Sequence, residues 1–466
     1  MLIRGLKRLV FSLAILLIMV LIAATVYRDR LPRWGAQPGL VPSLHHDDNA
    51  SGPRFSQGLA GSENDLRAPQ VDMTRYREVF SVSSASRAYF LVDFDGHQAI
   101  NPSILPHPKL PNTWIIVAQK RRLPGDETGV HVELVCNAVF RADGVLACVE
   151  PAAVLPIAPT QGDDAMCEGD VAYFRLNEGP HDARVFFGPW APYTIYGSNA
   201  VHTCFSQWML DFRLLVDWGF EFYHEDTFRQ ATELQRPVPY GVVEKNWFVF
   251  WDAAGALYAH YDIAPRRAFA RLSADGSVGE DLAPLAAAAG DDRCMQAHLP
   301  RLESELESLH QATNSLAITL CRRADPTCQE TEDNTFILTI FHHKSFYQFH
   351  SVYEPYVMLF RRSAPFALYG LSTKPLWIHG RRRPGEWEED LAAARWALPT
   401  TEEAPPVPPE AYSEMMFMTS VTWKNHGLKY HGYLDDIVFL GFGIEDKQTG
   451  GIDVLAGDLL ADIRLC

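Results

Sequence analysis

From about residue 75 onward, short apolar runs recur between turn signals. They cover 88–94, 113–118, 132–140, 193–196, 247–251, 256–262, 316–321, 335–341, 356–360, 366–369, 416–423 and 437–441, and are rich in Val, Ile, Phe, Tyr and Trp. Their shortness and their β-branched and aromatic content predict strands. Asp252-Ala-Ala-Gly255 predicts a hairpin turn between two of them. Helical patterns are few: 303–310 and 385–398 each predict a short amphipathic helix. So few helices exclude a doubly wound α/β fold, in which helices cross between parallel strands. A propeller, a sandwich or a large barrel remains. The runs group loosely into five units, near 80–125, 130–200, 203–268, 308–375 and 415–465. Two stretches, 269–300 and the Pro-rich 400–410, read as surface insertions.

The amino terminus has a different pattern. Arg4, Lys7 and Arg8 precede an apolar run at 9–26, interrupted only by Ser12 and Thr25 and closed by Arg28 and Arg30. Eighteen helical residues span roughly 27 Å, enough for a bilayer core. The run is longer than the apolar region of a cleaved signal peptide, so an uncleaved signal anchor is expected. Basic residues ahead of it put 1–8 in the cytosol and the rest in a lumen. Residues 27–75, with scattered Pro, Gly, Ser and Asn, read as a stem carrying the Asn49-Ala50-Ser51 glycosylation sequon, and 76–466 as the catalytic domain. The expectation is a single-pass type II protein of the Golgi or another secretory compartment.

Composition adds two points. Lys and Arg number 41 against 57 Asp and Glu, a formal charge of −16. This excludes a basic footprint for nucleic acid, so no nucleic-acid partner is expected. All eight cysteines lie beyond the apolar run, an even number that permits four disulfides in an oxidising lumen. Cys321 and Cys328, flanking a short polar loop, are the best local pair.

Ionisable and amide groups gather at the ends of the runs. Asn101-Pro102-Ser103 offers an amide. Asp182 and Arg184 are two apart, so on an extended chain they share a face, and the guanidinium keeps the carboxylate ionised. Tyr196 and Asn199 follow with groups that read hydroxyls. Glu244-Lys245-Asn246-Trp247 combines a polar rim with an aromatic platform for a sugar, although a core Trp beside a solvated turn fits equally. His342 and His343, ahead of Lys344, face opposite ways on a strand, which disfavours a shared metal, and no metal site is expected. Asp435 and Asp436 also face apart, one toward a pocket and one capping a turn. Gly441-Phe-Gly443 is too short for a dinucleotide fingerprint. No cofactor is expected beyond a nucleotide-sugar donor acting as substrate.

Asn101-Pro-Ser, Asp182-Ala-Arg184-Val-Phe, Glu244-Lys-Asn-Trp247 and the Asp-Ala-Ala-Gly-Ala-Leu-Tyr hairpin resemble the five-bladed β-propeller carbohydrate-active enzymes. The nearest branch is the mannoside phosphorylases and their mannosyltransferase relatives. The resemblance spans roughly 80–460 and implies an all-β, five-bladed propeller with loop insertions. It also implies a sugar bound at the mouth of a central channel, with carboxylates of successive blades acting across it. The phosphorylase motif Glu-Asp-Pro-Arg reads His181-Asp182-Ala183-Arg184 here, so Asp182 and Arg184 carry over while the other two depart. The catalytic candidates are Asp182, Glu244, Asp435 and Asp436. The substrate-binding candidates are Asn101, Arg184, Tyr196, Asn199, Lys245, Asn246, Trp247, His342, His343 and Lys344. The function expected is luminal glycosyl transfer, with mannose as one such sugar, to glycans of glycoproteins or glycolipids. Glycoside hydrolysis and non-catalytic carbohydrate binding are the alternatives.

Overall fold

The computed structural model describes residues 70–466, except 123–129, 161, 163–165, 178, 220–226, 348–349 and 387–408. The anchor, most of the stem, the sequon, most of the 385–398 helix and nearly all of the 400–410 insertion lie outside the described residues. Among the described residues no helix is long and apolar enough to cross a membrane. The described residues form one compact unit.

All twelve predicted runs overlap a strand. They are joined by strands with weaker apolar signals: Ala99–Pro106, His181–Phe187, Phe205–Asp211 and Gln448–Leu455. The result is five successive antiparallel sets, whose first strands are Ala99–Pro106, His181–Phe187, Phe248–Trp251, Leu316–Thr319 and Met416–Trp423. Phe90–Asp93 ties the two ends of the chain together. It pairs antiparallel with Gln448–Leu455 of the last set and parallel with Leu146–Cys148 of the first.

Hydrogen bonds link the first strands, or the turns that enter them, in a closed ring. Val185 N–H donates to Ser103 Oγ (3.0 Å) and Arg184 Nη2 to Asn246 Oδ1 (2.6 Å). Ser315 Oγ donates to the Val249 carbonyl (2.7 Å) and Asn314 Nδ2 to the Val421 carbonyl (2.9 Å). Ser420 Oγ then donates to the Pro102 carbonyl (2.9 Å), returning to the first set. A buried backbone acceptor left without a partner costs a kilocalorie or more, and these polar side chains supply partners where sheet ladders cannot. Around the ring, apolar faces pack into the core, with Trp247, Trp377 and Trp423 almost wholly buried.

Two expectations change. The 303–310 stretch is not a helix: Glu307–Gln311 is a strand paired antiparallel with Phe341–Ser345, because pairing with a neighbouring strand outweighs a weak helical period. The 269–300 insertion is not a surface excursion. It forms helices Ala283–Ala289 and Asp291–His298, pinned by the buried Arg267–Asp291 pair (2.7 Å) and the Cys294–Cys466 disulfide. The Asp252–Gly255 hairpin forms between Phe248–Trp251 and Leu257–Asp262, with Gly255 at φ 85°. All eight cysteines are paired: Cys321–Cys328, as expected, together with Cys136–Cys148, Cys167–Cys204 and Cys294–Cys466.

Candidate active site

Three residues at the starts of first strands, Asn101, Asp182 and Asn246, sit in the left-handed backbone region at φ 58°, 51° and 60°. Asn and Asp tolerate this region better than other residues with side chains. At the first two the strand pairing slips, between Ile100 and Ser103 and between His181 and Arg184. Such bulges re-aim side chains at strand ends. Here they bring Asn101 Nδ2 to 2.6 Å from Asp182 Oδ1, while His181 Nδ1 lies 2.9 Å from Oδ2. The Gly441-Phe-Gly443 motif has a packing role. A Cβ at Gly443 would collide with Asn101 Oδ1, and one at Gly441 with the Pro102 carbonyl and Ser420 Oγ.

Two polar side chains behind the bulge hold its backbone. Asp182 N–H donates to Gln119 Oε1 (2.8 Å) and Ala183 N–H to Glu133 Oε1 (3.1 Å). Gln119 and Glu133 are cross-strand partners, and both are buried. Neither stood out in the sequence. A lone Glu within the apolar run Val132–Phe140 was the available signal.

The charges around Asp182 come from every set of strands. Burial opposes its ionisation, but His181, Asn101 and Arg184 outweigh this and hold the carboxyl well below the usual carboxylate range. Arg184 is brought down to about 10 by burial, against the pull of Asp182. Lys245, 4.4 Å above the Phe174 ring and 5.1 Å above Phe205, is lowered by burial; Asp182 opposes the shift and Lys344 adds to it. Lys344 itself stands 5.5 Å over the Tyr353 ring.

Asp446 lies in the turn between Ile437–Ile444 and Gln448–Leu455, where Glu445 and Asp446 both take positive φ (52° and 47°), as a tight hairpin turn requires. Its side chain is exposed, but partial enclosure in the turn and the Asp182 charge push its carboxyl above the ordinary value, against Arg121 and Lys344. A carboxylate pair displaced in opposite directions is the usual arrangement of an acid and its ionised partner.

A hollow of about 20 Å³ touches Asp182, Arg184, Lys245 and Asn246, the size of one water molecule. A second cleft, of about 720 Å³, runs beside the Asp446 turn along Gln98, Arg121, Arg141, Glu445 and Thr449. It is saccharide-sized and polar, with Arg121 donating to Gln98 (2.8 Å) and Arg141 bound to Asp93 (3.1 Å).

The other sequence candidates lie elsewhere or serve packing. Glu244 is buried, accepting from Gly241 N–H (2.6 Å), Trp247 Nε1 (3.2 Å) and Arg236 (3.2 Å), so its carboxylate is structurally engaged. Trp247 is a core side chain against Tyr261, not an exposed platform. Tyr196 is wholly buried, and Asn199 Oδ1 accepts from Thr160 Oγ1 (2.5 Å). His342 and His343 do face opposite ways. His342 accepts from Met418 N–H (3.2 Å) in the core, where burial, then the charges of His310 and Arg184, keep it neutral. His343 bridges Glu307 (3.2 Å) and Glu354 (3.4 Å); these two hold its pKa above the ordinary value despite burial.

Asp435 and Asp436 share no partner with Asp182. Asp435 accepts from the N–H groups of Arg323 (2.6 Å) and Ala324 (3.0 Å), and Asp436 binds the Arg323 guanidinium through both oxygens (3.0 and 2.7 Å). Among the described residues no group of three or more His, Cys, Asp or Glu side chains is arranged to hold a metal ion.

No protein-family model matches the chain, and no curated protein matches its sequence. Among solved structures it is similar to a mannose phosphorylase from Leishmania mexicana in complex with phosphate ion. That likeness has 13% identity, covers 81% of this chain and 92% of that one, and has a TM-score of 0.38. A GDP-Man-dependent mannosyltransferase from the same organism aligns at 12% identity over 78% and 89% of the two chains, with a TM-score of 0.37. A glycosyl hydrolase from Bacteroides ovatus aligns at 9% identity over 80% and 90%, also at 0.37. The functional reading rests on the side chains and not on these likenesses.

Proposed function

We propose that the chain is a five-bladed β-propeller enzyme that hydrolyses a glycosidic bond at the Asp182 mouth. The closed ring of hydrogen bonds between the five first strands supports the propeller. The observation that carries the chemistry is the carboxylate of Asp182, fixed by Asn101 and His181 beside a hollow with room for one water molecule.

In this reading Asp446, holding a proton, gives it to the leaving glycosidic oxygen as the C–O bond breaks. Water in the hollow adds to the anomeric carbon and gives its proton to Asp182. The partners that keep Asp182 ionised also weaken it as a base. That suits a transition state of oxocarbenium character, in which bond breaking runs ahead of attack and the ionised carboxylate stabilises the developing positive charge. Outer sugar units occupy the cleft beside Asp446.

One observation favours a second reading, glycosyl transfer from a nucleotide sugar. Lys245 and Lys344 stand at the mouth with no carboxylate bonded to either among the described residues, cations of the kind that steady a departing diphosphate. Steady-state assays against neutral oligosaccharides and a panel of nucleotide sugars separate the two. Hydrolysis predicts sugar release without a nucleotide donor, and Asp182→Asn reduces it by about 10²–10⁴-fold. Consumption only of nucleotide sugar would establish transfer instead. We further propose a type II anchor in an oxidising lumen, on the strength of the apolar run at 9–26 and the four disulfides.

A further inference from the structure

Glu133 is a buried carboxyl group that takes no direct part in the proposed chemistry. Its residue is 0% exposed, at the first position of the strand Glu133–Phe140. Oε1 accepts one hydrogen bond, from Ala183 N–H, and Oε2 has no partner. Among the described residues no Lys or Arg forms an ion pair with it. A buried carboxylate with so little compensation would cost several kcal/mol, and such groups take up a proton instead. Next to it Gln119 accepts from Asp182 N–H, so the cross-strand pair grips two consecutive peptide N–H groups. Those are the two peptides of the bulge at which Asp182 takes φ 51°.

We propose that Glu133 stands in the protein as an uncharged carboxylic acid and is a positioning residue, fixing with Gln119 the bulge that aims Asp182. The inference rests on the reading of Asp182 as a reacting carboxylate. A neutral acid suits the place because an anion there would set a second buried negative charge against Asp182. Burial and the Asp182 charge hold Glu133 well above the ordinary carboxyl range, with only the Ala183 N–H opposing.

Two measurements on the full chain test this. The first is the infrared difference spectrum of wild type minus Glu133→Gln at neutral pH. It should contain the C=O band of a protonated carboxylic acid, and its absence would overturn the proposal. The second compares variants by steady-state kinetics on the oligosaccharide panel. Glu133→Gln keeps a neutral acceptor for Ala183 N–H and should hold kcat within about threefold of wild type. Glu133→Leu removes the acceptor and should lower kcat by about 100-fold with KM little changed, the cost of a misaimed catalytic group. A Gln variant falling as far as the Leu variant would overturn the proposal. If Glu133→Leu fails to fold, the infrared result and the Gln variant still decide. If Asp182→Asn turned over normally while the infrared band was present, the reading of Asp182 would fall and the charge state of Glu133 would stand.

Discussion

Two corners of the molecule each place an Asp beside an Arg at strand ends, and they differ in what is left over. At Asp436 nearly every donor and acceptor is used. Arg323 binds both carboxylate oxygens, Tyr433 N–H adds a third bond (2.8 Å), and Asp435 closes the neighbouring turn. At Asp182 capacity remains. Arg184 Nε, Asn101 Oδ1 and Glu133 Oε2 are buried without a partner. Lys245 and Lys344 rest over aromatic rings and not on carboxylates. Buried polar atoms are nearly always satisfied, so a local concentration of unsatisfied ones marks a place organised for something other than stability. The same residue pair is a brace in one corner and a candidate site in the other.

Each corner also has its own disulfide, which gives the largest expected effect. Cys167–Cys204 encloses 37 residues of separation and packs with Phe174 and Phe205 beneath Lys245. Replacing both cysteines by Ser should cost about 4 kcal/mol of stability in the loop-entropy model and also weaken sugar binding. Denaturant titration beside a binding isotherm checks both.

Next is Asp446→Asn, expected to lower kcat/KM by about 100-fold. Activity requires a proton on Asp446, so the wild-type rate should fall as pH rises through its elevated pKa, and the variant should lose that alkaline limb. The sign for stability is the same. A carboxyl whose folded pKa is raised holds a proton that the unfolded chain has released, so its contribution declines as pH rises between the two values. Asp446→Asn should therefore flatten the fall in melting temperature over that window, and an unchanged profile would contradict the assignment.

Smaller effects belong to the braced corner. Opening Cys321–Cys328, with a separation of only 7, should cost about 2–3 kcal/mol. Asp436→Asn should cost about 1–3 kcal/mol through its charge-assisted bonds. Both should leave turnover unchanged. Lost turnover in a variant that remains folded would erase the contrast between the corners.

The fold was legible wherever strands were continuous and apolar. The first strands at Ala99–Pro106 and His181–Phe187 were not, because bulges place Asn-Pro and His-Asp inside them and break the alternation of side chains. Asn101, Asp182, Arg184, Lys245, Asn246 and Lys344 could be named from polar residues at the ends of runs, and they meet in one electrostatic neighbourhood. Asp435 and Asp436 carried the same signal, since sequence does not say whether a partner such as Arg323 will arrive from more than a hundred residues away. Glu133 and Gln119 were hidden for the opposite reason. They face each other at the paired ends of two strands and act on the backbone of a segment that only the folded sheet brings to them.

The most direct test compares Asp182→Asn with Asp436→Asn in one set of titrations and turnover assays, using free oligosaccharides and nucleotide sugars, with melting temperatures measured alongside. Asp182→Asn should lower turnover by about 10²–10⁴-fold while shifting the melting temperature by no more than about 4 °C. Asp436→Asn should lower the melting temperature and keep turnover. Full activity in Asp182→Asn, or its loss in a folded Asp436→Asn, would contradict a site at the Asp182 mouth.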